Sequence, residues 1–216
     1  MNWIVTSTGA EFDFKRPRPD TIRAEDIANA LSKINRFTGH TCRPYSVAEH
    51  CMLVHELVQI EFAVQQPQVL LAALLHDAHE AYCGDTSTPA KRAIGWQWYD
   101  FEQPLENAVL HKFGVLRDAR VWASVIKTCD TLALAIERRD LLPPPSPDSR
   151  PWPSLEGVVA PSYINLMSGH HAGYIWQDWR DVYLEKLCEL HYAVHGDAAA
   201  ADASAAPAGN TAAVTP

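Results

Sequence analysis

The segment Leu70-Leu71-Ala72-Ala73-Leu74-Leu75-His76-Asp77-Ala78-His79-Glu80-Ala81-Tyr82 constrains this chain more than any other stretch. Its first six positions are apolar around the whole circumference of a helix, which predicts a central helix covered on several sides. His76 and Asp77 follow directly and are drawn into the same interior, where a carboxylate is costly unless its charge is compensated. At about 100° per residue, His76, Glu80 and Asp77 fall at roughly 0°, 40° and 100° and share one sector of a regular helix. A divalent cation would take His76 and Asp77 as ligands and leave Glu80 beside it.

The flanking chain also reads as helix. Residues 20–35 carry Ile27, Leu31 and Ile34 at helical spacing, and residues 47–62 follow a capping-box pattern, Ser46-Val47-Ala48-Glu49. Gly84 ends the central segment, and helical periodicity returns over 98–113, 119–142 and 174–195. Before all of these, the first fourteen residues alternate weakly around Gly9 and predict a short extended arm or hairpin. Proline density over 143–162 predicts a long surface loop able to edge a pocket. The expectation is one mainly helical domain over 1–196, followed by a disordered Ala/Pro-rich tail over 197–216.

Composition narrows the partners. A formal charge of -8 and a pI near 5.6 argue against gripping duplex nucleic acid, which needs a basic face. No basic leader precedes a long apolar run and no apolar stretch approaches a membrane span, so a cytoplasmic protein is expected. The five cysteines lack a paired short spacing and read as small buried apolar residues. Ten histidines, several beside carboxylates, point to metal or proton chemistry.

His50 supplies a second inward imidazole, next to the stripe Val47, Cys51, Val54 and Val58. Taken alone it reads as a core histidine bonded to a backbone carbonyl; the need of His76 and Asp77 for a partner favours a ligand. Asp130, in the run from Val125 to Leu141, flanks its helix's apolar stripe and reads on periodicity as a surface aspartate or pocket-edge ligand. Asp118 and Asp140 are rival carboxylates. The aromatic spacing Trp176, Trp179 and Tyr183 reads as core packing.

The order His50, then His76-Asp77, then Asp130, with the extended string from His76 through Gly84-Asp85, Thr88-Pro89 and Lys91, resembles the HD superfamily of metal-dependent phosphohydrolases. Within it the string is similar to the 5'-deoxynucleotidase branch and to phage enzymes that hydrolyse deoxynucleoside triphosphates. The resemblance spans roughly half the chain, from Ile27 to Asp140, and includes the run Arg43-Pro44-Tyr45-Ser46-Val47-Ala48-Glu49-His50. It implies an HD-type helical bundle in which His50, His76, Asp77 and Asp130 hold a metal. It also implies that Glu80 positions or exchanges protons with the attacking water, that Asp85 is a second active-site carboxylate, and that Arg36 binds phosphate. Phe37 stands where the nucleotidases usually carry Trp beside the deoxyribose. Lys91 offers a point charge for phosphate or is simply solvated, and the extra His79 reads as supporting the site without ligating.

Mixed nitrogen and oxygen ligands suit Mn, Fe, Co, Ni or Zn better than Mg, with an additional Mg or Mn conceivable on a triphosphate substrate. The expected reaction is hydrolysis of a deoxynucleotide phosphoester or phosphoanhydride. A phosphodiesterase for a cyclic or oligonucleotide and a non-catalytic metal-bound nucleotide sensor are the competing expectations. Base, phosphate number and homo-oligomeric state stay open.

Overall fold

A computed structural model describes residues 1–196. Among them the chain is mainly helical, with one antiparallel hairpin, β1 (Trp3–Val5) paired to β2 (Glu11–Asp13) in the register Ile4 opposite Phe12. The hairpin is fastened to the helices at both ends. Asp26 accepts hydrogen bonds from Ser7 Oγ at 2.6 Å, from the Thr8 amide at 2.8 Å and from Thr8 Oγ1 at 2.7 Å. Phe12 is fully buried and stacks on Tyr82 with ring centroids 3.9 Å apart.

Helix α1 (Ala24–Leu31) is shorter than its periodicity predicts. The reason lies in the backbone beyond it: Ile34 O accepts from the Val47 amide, and the Arg36 amide donates to Tyr45 O, both at 2.9 Å. These residues are engaged in a bridge between Asn35 and Ser46, so they cannot continue the helix. Helix α2 (Val47–Glu61) starts where expected, with Ser46 Oγ accepting from the Glu49 amide at 3.1 Å. The reciprocal half of the predicted capping box is replaced, because the Glu49 carboxylate accepts from Arg43 at 2.6 and 3.0 Å instead.

The central segment is broken rather than continuous. Helix α3 (Pro67–Leu74) buries Val69 through Leu75 almost completely, and α4 is the single turn Glu80–Cys83. Between them Ala78, Glu80 and Tyr82 donate to carbonyls three residues back, Leu75, Asp77 and His79, at 3.0 Å each. Such tight turns advance about 120° per residue and eclipse positions three apart. His76, Asp77 and Glu80 therefore lie on a run of tight turns rather than on one regular α-helix, and His76 Nε2 still comes within 3.3 Å of Asp77 Oδ2.

Helix α5 (Thr88–Ile94), with Pro89 in its first turn, lies in the stretch between Gly84 and the helical periodicity that returns at 98–113. Gly95, at a φ of 87°, redirects the chain into α6 (Trp96–Lys112). The predicted helix over 119–142 is two, α7 (Leu116–Val121) and α8 (Ala123–Asp140), and α9 (Trp176–His195) closes the bundle. Helix α2 packs on α3 and α8, while α9 packs on α1 and α3. Tyr183 of α9 is buried and donates to Leu74 O at 3.2 Å; Trp179 is also buried, but Trp176 remains partly exposed.

The proline-rich connection between α8 and α9 holds only 3-10 turns, at Pro153–Leu155 and His170–Gly173. Arg139 ties it to the bundle by donating to the carbonyls of Pro161 and Ile164, and Arg43 by donating to that of Leu166. The cysteine expectation holds for Cys51 and Cys129, which are buried, and fails for Cys42 and Cys188, which are exposed. No helix among the described residues is long and apolar enough to cross a membrane. The predicted tail over 197–216 lies outside the described residues.

Candidate metal centre

Helices α2 and α8 and the tight turn after α3 converge on one point. His50 Nε2 lies 3.2 Å from His76 Nε2, 3.3 Å from Asp130 Oδ1 and 3.5 Å from Asp77 Oδ2, and His76 Nε2 lies 3.3 Å from Asp77 Oδ2. The ligating atoms of His50, His76 and Asp130 all fall within 4.8 Å of one another. Asp77 completes the group through the distances to both imidazoles.

The tautomers follow from the partners of the opposite ring nitrogens. His76 Nδ1 is 2.9 Å from Ala73 O, an atom that can only accept, so Nδ1 carries the proton. His50 Nδ1 is 2.6 Å from Glu137 Oε1, and the Glu137 carboxyl is held below the usual range: burial opposes ionisation, but Arg36 and His50 overcome it. His50 Nδ1 is therefore the donor to an ionised carboxylate. Both Nε2 atoms then present lone pairs to each other across 3.2 Å, with two carboxylate oxygens alongside. Four acceptors directed at one point require a cation, either protons or a metal.

The charges around this point show the same strain. Burial disfavours protonation of His76, yet Asp77 and its other neighbours raise it to about 10. Burial likewise opposes ionisation of Asp130, but His50 and His76 bring its carboxyl well below the usual range. Asp130 is divided between two tasks, since Oδ2 accepts from exposed Lys127 at 2.6 Å while Oδ1 faces His50. The rival carboxylate Asp140 is committed elsewhere, accepting from Arg139 and from the Leu166 amide at 2.9 Å.

Glu137 does not stand out in the sequence. It is fully buried and accepts from His50 Nδ1, from Tyr45 Oη at 3.0 Å and from Arg36 Nη2 at 3.1 Å. By these bonds it fixes the His50 ring and orients Arg36 together. A signal existed: Glu137 lies two helical turns beyond Asp130 and so returns to its face of α8. Its neighbours Arg138 and Arg139 disguise it as part of a charged helix end.

Arg36 reaches from Glu137 towards Asp77, with Nη1 3.7 Å from Asp77 Oδ2, while its buried Nε has no hydrogen-bond partner. Glu80 is nearly fully buried, and its Oε2 is also without a partner. Burial first, then the negative charge of Asp77 and Asp85, raises the Glu80 carboxyl well above its ordinary value. Asp85 is half-buried in the field of Arg36, Asp77 and His50; burial is the main influence and raises its carboxyl. Lys91 Nζ sits 2.5 Å from Glu102 Oε1 and 3.7 Å from Glu80 Oε1. Glu102, unremarked in the sequence, also lies 3.1 Å from His79 Nε2. His79, Glu80 and Glu102 are close enough to hold a cation themselves, but the Lys91 ammonium already lies against them. Phe37, at a φ of 54°, turns its ring towards Trp152.

No family model matches the chain. It is 36% identical over 191 residues to "Uncharacterized protein YfdR" of Escherichia coli K12, covering 87% of this chain and 99% of that protein. It is 38% identical over 148 residues to an uncharacterised protein of Rhodobacter capsulatus, covering 64% of this chain and 72% of the relative.

Proposed function

The chain belongs to the protein family of Escherichia coli YfdR, and for this member we propose an HD-type metal-dependent phosphohydrolase that acts on deoxynucleotides. The observation that carries the reading is the approach of His50 Nε2 and His76 Nε2 to 3.2 Å beside Asp77 and Asp130, with both Nδ1 atoms engaged elsewhere. That donor set fits a divalent transition metal, with Mn, Fe, Co, Ni and Zn all chemically suited. When bound, such an ion polarises a phosphoryl oxygen and makes a water available as nucleophile near neutral pH.

The protein's own groups account for the remaining work. Arg36 is held by Glu137 with its guanidinium at the edge of the centre, where it can donate to phosphate oxygens of an anionic substrate. Glu80 presents an unpartnered, buried carboxyl oxygen in the field of Asp77, so it can take or return the water's proton. Burial, Asp77 and Asp85 raise its proton affinity well above that of an ordinary carboxyl, which suits a group that exchanges a proton, and such assistance is worth roughly 100-fold to 10,000-fold. Asp85 adds negative charge that sustains this affinity. A purely structural metal site would need neither a buried, unpartnered Glu80 nor Arg36 beside it.

The test is a screen of the full-length protein with Mn, Co, Zn or Mg against all deoxynucleoside mono- and triphosphates, with products separated by chromatography. At least one substrate should release a phosphate species. Glu80→Ala should lower the rate by 100-fold or more while metal content is kept. Undiminished turnover in that variant overturns the assigned role.

A further inference from the structure

Beyond the metal centre, one run of side chains connects it to a cavity. The Arg36 guanidinium lies over the Phe37 ring, 5.6 Å from its centroid. Phe37 faces Trp152 with centroids 6.4 Å apart and planes inclined by 37°. Trp152 in turn carries Arg138 over its ring at 5.3 Å. Arg36 is bonded to Glu137 beside the metal centre, Arg138 follows Glu137 near the end of α8 and donates to Pro143 O, and Trp152 comes from the proline-rich connection after α8.

Trp152 and Arg138 line a cavity of about 460 Å³, together with Ser149, Arg150, Leu155 and Glu156. That volume falls within the roughly 300–1,000 Å³ typical of small-molecule sites. Its lining combines a large half-buried aromatic face with guanidinium and hydroxyl donors, the chemistry that recognises a planar, polar-edged ring. The backbone beneath Phe37 is held in an unfavourable conformation: Phe37 and Thr38 have φ of 54° and 53°, the left-handed region that non-glycine residues rarely adopt. The cost of that conformation sets the Phe37 ring between Arg36 and Trp152, and such strain is characteristic of functional segments.

We infer that this cavity is a nucleobase subsite in which Trp152 stacks on the base of a nucleotide whose phosphate is directed to Arg36. The inference rests on the phosphohydrolase reading for the placement of the phosphate, but base binding can be measured without turnover. Trp152 then acts as a specificity residue supplied by the α8–α9 connection, and Phe37 lies between base and phosphate, where the sugar passes. Arg138 and Arg150 provide donors for acceptor atoms on the base edge.

The experiment is calorimetric titration of the full-length Glu80→Gln protein, chosen to suppress turnover, with dGMP, dTMP and 2-deoxyribose 5-phosphate. At least one nucleotide should bind about 10-fold more tightly than the baseless sugar phosphate. Adding Trp152→Ala should remove that difference while leaving sugar phosphate binding unchanged; adding Trp152→Phe should restore most of it. Equal affinity for nucleotides and sugar phosphate in the parent protein overturns the inference, as does an unchanged preference in Trp152→Ala. Saturation-transfer NMR on the same parent protein provides a second reading that needs no Trp152 variant. Base protons should receive more saturation than sugar protons, and the reverse counts against the subsite. Base-dependent binding without phosphate release from any nucleotide by metal-loaded wild type would leave the subsite standing and remove the phosphohydrolase reading.

Discussion

The cluster around His50 and His76 and the cluster around His79 and Glu102 are supplied in part by the same tight turn, yet they obtain positive charge differently. In the second, the Lys91 ammonium lies 2.5 Å from Glu102 and 3.7 Å from Glu80, so the protein furnishes its own cation. In the first, Lys127 contacts only the outer oxygen of Asp130 and Arg36 stands 3.7 Å from Asp77. Neither intervenes between the two imidazole nitrogens. Histidine and carboxylate content alone would mark both clusters as metal sites. What separates them is hydrogen-bond polarity: one has a donor at its centre, and the other consists of acceptors whose tautomers are set from outside.

That contrast can be broken most severely at Glu137. Glu137→Ala should destabilise the protein by about 3–5 kcal/mol, because Arg36, His50 and Tyr45 lose a shared buried acceptor. Metal affinity should fall about 10-fold to 100-fold as His50 loses its orienting partner. Urea denaturation and metal titration would read the two effects separately. Retention of wild-type metal affinity would mean that His50 is positioned by packing alone.

A smaller effect of opposite sign is expected at Glu80. Its folded-state proton affinity is raised, chiefly by burial, so the folded state resists ionisation that the unfolded chain undergoes near pH 4.5. The associated stability is fully present below that pH and is lost as pH rises towards the higher folded value. Glu80→Gln, neutral throughout, should therefore be more stable than the metal-free wild type at pH 7, with the gap closing near pH 3. Denaturant midpoints at both pH values check this. A destabilised variant at pH 7 would show that Lys91 keeps Glu80 ionised.

Glu102 should show the mildest effect. Burial opposes its ionisation, but hydrogen bonds with His79 and Lys91 hold the carboxyl down to about 2. Its contribution is present above the ordinary value of 4.5 and disappears as pH falls towards 2. With screening at this partly accessible position, Glu102→Gln should cost about 1 kcal/mol near neutrality and less in acid. Its metal stoichiometry should match wild type, which distinguishes the lysine-filled cluster from the acceptor-only one.

The sequence was legible where burial and chemistry conflicted locally. His76 and Asp77 stand at the end of a wholly apolar run, and His50 follows a clear helix start; these signals lie within single helices. Asp130 did not stand out by periodicity, because a carboxylate at the flank of a stripe looks solvated until α8 is placed against α2. Glu137 and Glu102 were hidden for the same reason: each becomes significant only through partners contributed by other elements, Arg36, Tyr45 and His50 for one, His79 and Lys91 for the other. The helical plan was readable from apolar spacing, while the break after Leu74 was not. Apolar runs specify burial, but they do not distinguish an α-turn from the tighter turns that carry His76 through Glu80. Trp152 lay in a segment readable only as proline-rich loop, since its ring acquires meaning from Phe37 and Arg138.

If His50, His76, Asp77 and Asp130 hold a divalent metal, metal-stripped protein should take one up. Titration of metal-stripped protein with cobalt, followed by visible absorption and equilibrium dialysis, tests it most directly. Wild type and Glu102→Gln should each take up one tightly held ion per chain, and His76→Ala should lose that uptake. Absence of uptake by folded wild type, or unchanged uptake by His76→Ala, would contradict it.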